Sequence, residues 1–219
     1  MEGGYGEGKT HLLRLSVAMV KEEGGRAAYV TCEAGWGYGK VGNLLLRVFK
    51  ECGMELGSGT WLEAEAWFKL SHVARERFPE RFSPTERSFL YRMGVYTARG
   101  WMPSEKQRAW ARQLMAEVLA CGASEELAEV VWSLAREKGI RWVLAAVDEA
   151  EQVAEGGVRK VRAFVGLLEQ VAAGRIPVRM VVAVTPEFRT AVEEHGLRGR
   201  NGVVVEKMPP LKIEEAAEL

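Results

Sequence analysis

The residues best equipped for chemistry open the chain. Gly3, Gly4, Tyr5, Gly6, Glu7, Gly8, Lys9 and Thr10 fit the pattern G-x-x-x-x-G-K-[ST]. Glycines let successive backbone N–H groups turn inward around a phosphate chain. In such a loop the lysine reaches the terminal phosphates, and the hydroxyl after it faces Mg²⁺. Lys9 and Thr10 hold those two positions, and His11 follows at the start of a helical pattern. Leu12, Leu13, Leu15, Val17, Ala18 and Val20 supply the apolar run of that helix, whose positive amino end would face the anion. A glycine-rich terminus matching by chance is the competing account, and a helix beginning where the motif requires one speaks against it.

A second constellation lies far downstream. Asp148 is the only aspartate in the chain, where every other acidic residue is glutamate. It follows Trp142-Val143-Leu144-Ala145-Ala146-Val147, a continuous apolar run of the kind buried on both faces in a parallel sheet. An aspartate at the end of such a strand positions Mg²⁺ and its waters, as in the Walker B arrangement. Glu149 beside it would orient or deprotonate an attacking water. An exposed acidic turn after a core strand is the plainer alternative.

Three further sites follow from position. Val181-Val182-Ala183-Val184 reads as another buried strand ending at Thr185-Pro186, which makes Thr185 a candidate sensor of the γ-phosphate. A threonine that simply closes a strand before a helix-initiating proline is an equal reading. Arg198 and Arg200, in the turn Leu197–Gly202, are candidate arginine fingers, reaching a neighbouring subunit if the protein forms rings. A surface turn built on two glycines explains them as well. Glu33 is a lesser rival to Glu149.

These residues need strands and helices to place them. The spacing predicts a helix over 11–23, a strand over 27–32, a helix over 41–52, and almost unbroken helix from 61 to 138. Pro79, Pro84, Gly100, Pro103 and Gly122 cut that stretch into about four segments. A helix over 158–173, a helix over 187–194 and a short strand over 203–205 complete the order. Alternating strands and helices imply a parallel sheet with helices on both faces, and ligands in such sheets sit at the strand carboxyl ends. The expected fold class is therefore α/β, a P-loop NTPase forming one domain over 1–219. It carries a helical insertion at about 61–138 and an additional strand between the two Walker strands. Only Met1 and Glu2 precede Gly3, so the strand that normally leads into such a loop is expected to be missing.

Composition excludes several classes. The 219 residues, 47% hydrophobic, suffice for one sizeable α/β domain. Thirty basic residues balance thirty acidic ones, so overall charge does not argue for nucleic acid. No apolar run approaches the ~20 residues of a membrane helix. Cys32, Cys52 and Cys121, like His11, His72 and His195, are scattered without metal spacing, and free thiols suit a reducing cytoplasm. The scarcity of Asn and Asp beside abundant Glu, Arg and Lys is a weak sign of a hot habitat.

The insertion mixes cations and rings. Lys69, Arg75, Arg77, Arg81, Arg87, Arg92, Arg99, Lys106, Arg108 and Arg112 are interleaved with Phe78, Phe82, Phe89, Tyr91, Tyr96, Trp101 and Trp110. Such a surface binds phosphate backbones and stacks on bases, with affinity that falls steeply with salt. The favoured reading is plainer: the rings pack a small helical core and the arginines solvate its outside.

Taken together, Gly3–Arg14, Val147-Asp148-Glu149-Ala150-Glu151 and Val184-Thr185-Pro186-Glu187-Phe188 resemble bacterial AAA+-type P-loop ATPases of the BREX phage-defence kind. Met208–Glu215 is similar to the segment leading into the lid of related origin-recognition-like ATPases. The resemblance implies ATP as the nucleotide, Mg²⁺, hydrolysis, oligomers, and remodelling of DNA or a partner protein. It also implies a lid domain, which is not expected within the sequence. Two other readings stay open: a nucleotide-gated switch or scaffold with negligible turnover, and a truncated ATPase fragment.

Overall fold

The computed structural model describes residues 1–4, 8–32, 42–53, 61–122, 125–197 and 204–207. Three strands, β1 (Ala27–Thr31), β2 (Val143–Asp148) and β3 (Val178–Val182), form a parallel sheet in the order β1-β2-β3. Ala27 stands opposite Leu144 and Thr31 opposite Asp148, while Val147 stands opposite Val182. β2 is buried at every position, as its unbroken apolar run requires of a strand paired on both edges.

Period-two alternation divides the sheet into two faces. Helix α1 (Lys9–Glu22) covers one, where Leu13 and Val17 pack on Ala27, Leu144 and Ala146. Helices α2 (Gly42–Glu51) and α7 (Val158–Ala172) cover the other, where Ala28, Val30, Ala145 and Val147 join Leu45, Phe49 and Phe164 in a larger cluster.

The insertion folds as the four helices its punctuation predicts: α3 (Trp61–Glu76), α4 (Pro84–Ala98), α5 (Glu105–Gly122) and α6 (Glu125–Glu137). Ser83 caps α4 through a reciprocal capping box with Glu86, and Pro84 supplies the first-turn φ. Ser104 and Gln107 exchange the same pair of bonds at the start of α5. Gly94 lets α3 and α4 meet closely, since a Cβ there would stand 2.9 Å from the Phe68 nitrogen. Trp67, Leu114 and Val118 extend the cluster beneath the sheet, so insertion and sheet share one apolar core. Phe82 and Phe89 belong to that core, and Trp110 stacks on Phe89 with 4.0 Å between ring centroids. Tyr91, Tyr96 and Trp101 instead stay exposed.

Two strand expectations are corrected. β3 spans Val178–Val182, beginning three residues before and ending two residues before the predicted 181–184. Arg179 hides its start by interrupting the apolar run; its guanidinium lies 4.6 Å from the centroid of the Trp142 ring. Of the strand expected over 203–205, Val203 lies outside the described residues and Val204 and Val205 form no strand, and the pairing there among the described residues is a bridge at Lys207. Glu2 bridges in parallel to both Val184 and Lys207, so Met1–Gly3 occupy the line between β3 and residues 204–207. The last helix among the described residues, α8 (Pro186–Val192), runs into a π-turn, Glu193–Leu197.

Candidate functional site

The carboxyl end of β2 meets the amino end of α1. The Thr10 hydroxyl donates a 2.6 Å hydrogen bond to Asp148 Oδ2, joining two motifs 138 positions apart. Asp148 is 4% exposed, whereas Thr10 is open to solvent. The carboxylate is thus held by protein while the hydroxyl beside it remains within reach of a ligand. The Glu149 N–H donates to Asp148 Oδ1 at 3.0 Å, fixing the second oxygen.

Tyr29 is a partner that sequence reasoning missed. Its hydroxyl donates to Asp148 Oδ2 at 2.7 Å. Tyr29 pairs with Ala146, so on the α1 face it lies diagonal to Asp148, within reach of a long side chain. The Arg14 guanidinium lies 5.1 Å from the centroid of the Tyr29 ring. Burial, and then the hydrogen bond to Asp148, push the Tyr29 hydroxyl pKa upward, so it stays a donor at neutral pH. The signal was the alternation of β1, but only the β1–β2 register reveals which residue of β2 Tyr29 meets.

Lys9 Nζ donates to the Gly3 and Gly4 carbonyls at 2.5 and 2.7 Å, folding back over the start of its own loop. Gly8 caps α1 with φ 80°, a left-handed conformation that favours glycine. Gly3 is anchored by donating its N–H to the Val184 carbonyl at 3.1 Å. His11 follows on α1 and is exposed.

Glu149 is the one described non-glycine residue with positive φ, at 53°. It is exposed and opens the 3₁₀ turns Ala150–Gly156. A left-handed conformation costs a residue with a Cβ roughly 1–2 kcal/mol, and such strain gathers at functional positions. Thr185 is 5% exposed and caps α8, its hydroxyl oxygen accepting from the Phe188 N–H at 3.3 Å. The helix-capping role weighed for it is therefore present in the fold. Tyr5, Gly6, Glu7, Glu33, Arg198, Arg200 and Met208–Glu215 lie outside the described residues.

Among the described residues no cluster of three or more His, Cys, Asp or Glu side chains could hold a metal alone. The pair Thr10 and Asp148 is an all-oxygen set suited to Mg²⁺, which is usually bound by one or two carboxylates together with phosphates and water. An apolar groove of about 380 Å³ lies elsewhere, beside β3, and neither Thr10 nor Asp148 lines it. No helix among the described residues is long and apolar enough to cross a membrane. Comparison with family models, curated proteins and solved structures found no match.

Proposed function

We propose that this chain is a P-loop ATPase core of the AAA+ type, binding Mg·ATP between Gly3–Thr10 and Asp148 and hydrolysing it. The observation that carries this reading is the 2.6 Å bond between Thr10 and Asp148, which unites two motifs 138 positions apart. The loop backbone around Gly8, the amino end of α1 and Lys9 would hold the phosphates. Thr10 and Asp148 would hold Mg²⁺, which supplies neutralising charge to the phosphate oxygens.

Lys9 donates to carbonyls of the same loop, and a phosphate would offer it a charged acceptor and a stronger bond. Glu149 takes the proton of the attacking water, projecting from the strand end beside the buried carboxylate. Thr185 accepts from Phe188 and still has its hydroxyl proton to donate to a phosphate oxygen or that water. Arg198 and Arg200 remain the proposed fingers of a neighbouring subunit. ATP rather than GTP, and remodelling of DNA or a partner protein in phage defence, rest on the family resemblance.

The test is equilibrium binding of ATP with and without Mg²⁺. Lys9→Ala should lose binding, whereas Thr10→Val should keep the metal-free component and lose the increment that Mg²⁺ adds. An unchanged Mg²⁺ increment in Thr10→Val would reject the site. Turnover at saturating ATP then separates an enzyme from a nucleotide-gated switch.

A further inference from the structure

The helical insertion carries a face of exposed rings. Packing accounts for Phe82 and Phe89, which join the core, but leaves Tyr91, Tyr96 and Trp101 exposed to 48%, 44% and 42%. Helical spacing puts Tyr91, Arg92, Tyr96 and Arg99 on the solvent side of α4, opposite the buried Phe89, Met93 and Thr97. The rings form two groups. Tyr91 meets Phe68 of α3 with 5.7 Å between centroids, and Phe68 meets His72 at 4.8 Å. Trp101 stands edge-on to Tyr96 at 5.6 Å. Tyr96 follows Tyr91 by five positions, about 7.5 Å along the helix axis.

The charge on this face has one sign. From Arg87 to Ser104 the sequence holds Arg87, Arg92 and Arg99 and no acidic residue, although the chain as a whole is neutral. Glu86, just before, is engaged with Ser83 in the cap of α4. Among the described residues Arg87, Arg92 and Arg99 pair with no carboxylate, and Arg75 meets Glu76 at 3.7 Å. Arg75 and Arg87 line a cavity of about 410 Å³ between α3 and α4, together with Ser71, His72, Ser88 and Tyr91.

We propose that this face binds single-stranded nucleic acid. One backbone phosphate enters the cavity between Arg75 and Arg87, others meet Arg92 and Arg99, and bases stack on Tyr91 and Tyr96. Arginines that neutralise phosphates release the counterions condensed on the strand, which drives association. Exposed ring faces stack on unpaired bases, which favours a single strand over a duplex. An acidic peptide would satisfy the arginines and leave the rings without a partner. The surface shares no residue with Gly3–Thr10 or Asp148. It gives the partner class of the proposed function a place on the insertion, and it needs no ATP.

The test is fluorescence anisotropy of a labelled oligothymidylate about twelve nucleotides long, titrated with the full chain in the absence of nucleotide over a series of salt concentrations. The logarithm of the affinity should fall linearly with the logarithm of salt concentration. Arg87→Ala combined with Arg99→Ala should make that slope shallower by about 1.4, the share of two phosphates on a single strand. Tyr91→Ala should weaken binding roughly tenfold with the slope unchanged, and Tyr91→Phe should bind as the parent does. None of these side chains belongs to the apolar core, so thermal melts of the variants should match the parent. Should a variant fail to fold, the parent's preference decides: the single strand should outcompete an oligo(dA)·oligo(dT) duplex of the same length. No binding at low salt, a duplex bound as tightly as the single strand, or unchanged affinity in Tyr91→Ala would overturn the proposal. Binding to anionic phospholipid vesicles with none to the oligonucleotide would overturn it in favour of a membrane surface. Lys9→Ala should bind the oligonucleotide as the parent does, so a failure of ATP binding is read separately from a failure of this surface.

Discussion

Tyr29 and Thr10 approach Asp148 from different elements, and both hydroxyls donate to the same oxygen, Oδ2, at 2.7 and 2.6 Å. One donor comes from the neighbouring strand and the other from the helix that follows the glycine loop. Asp148 is therefore oriented from β1 as well as from α1; in the proposed Mg²⁺ role, a ligand held in this way gains affinity from such outer partners.

Removing the strand-borne donor should be felt at the metal. In Tyr29→Phe, the Mg²⁺ concentration for half-maximal ATP binding should rise roughly tenfold, with about 1–3 kcal/mol lost from stability because the acceptor is charged. Titrating Mg²⁺ at fixed ATP checks the first effect and denaturant unfolding the second. A stability loss with an unmoved Mg²⁺ midpoint would confine Tyr29 to a structural role.

Glu149 combines the proposed role of general base with a strained backbone. Glu149→Gln should bind ATP as the parent does and turn it over roughly 10²–10⁴-fold more slowly. Glu149→Gly should be equally slow yet more stable, by up to about 1 kcal/mol, because glycine accepts a positive φ without the Cβ penalty. Single-turnover assays beside thermal melts separate the two effects, and turnover at the parental rate in Glu149→Gln would eliminate Glu149 as the base.

Glu2 ties the amino-terminal stub to α8 through an ion pair with Arg189. The Arg189 hydrogen bond holds the Glu2 carboxyl below its ordinary value of 4.5. A depressed carboxylate stabilises the fold fully above the unfolded value, and that contribution fades as pH falls through the folded one. The melting temperature of Glu2→Gln should thus lie below the parent's at pH 7, and the gap should close on acidification below about 4.5. A gap that is constant from pH 7 to pH 3 would rule out this linkage.

Cys32 and Cys52 should be inert in the native state. Burial pushes the Cys32 thiol up to about 12, with Glu151, Asp148 and Glu149 adding to the shift, and pushes Cys52 up to about 11. The thiolate is the reactive form, so at pH 8 neither site should react with a maleimide until the protein unfolds. Peptide mapping after brief labelling reads this directly, and native labelling of Cys32 would contradict the burial.

The local elements were largely legible because each carries its own signal. The buried run before Asp148 had to be a two-sided strand, and Pro79, Pro84, Gly100, Pro103 and Gly122 cut the insertion into its four helices. The start of β3 was read late because a charged Arg179 breaks the apolar pattern, and its packing on Trp142, just before β2, is a long-range contact that no window of sequence contains.

What the sequence determined alone was chemistry: a glycine loop with Lys9 and Thr10, and one aspartate at the end of an apolar strand. Hydrophobic periodicity and turn residues act over a few positions, so they fix elements and the ends at which polar groups emerge. Only the tertiary structure decided that Thr10 and Tyr29 share one oxygen of Asp148, and that Met1–Gly3 run between Val184 and Lys207. Those facts depend on strand register and on the packing of α1 across the sheet, which arise between segments far apart in the chain.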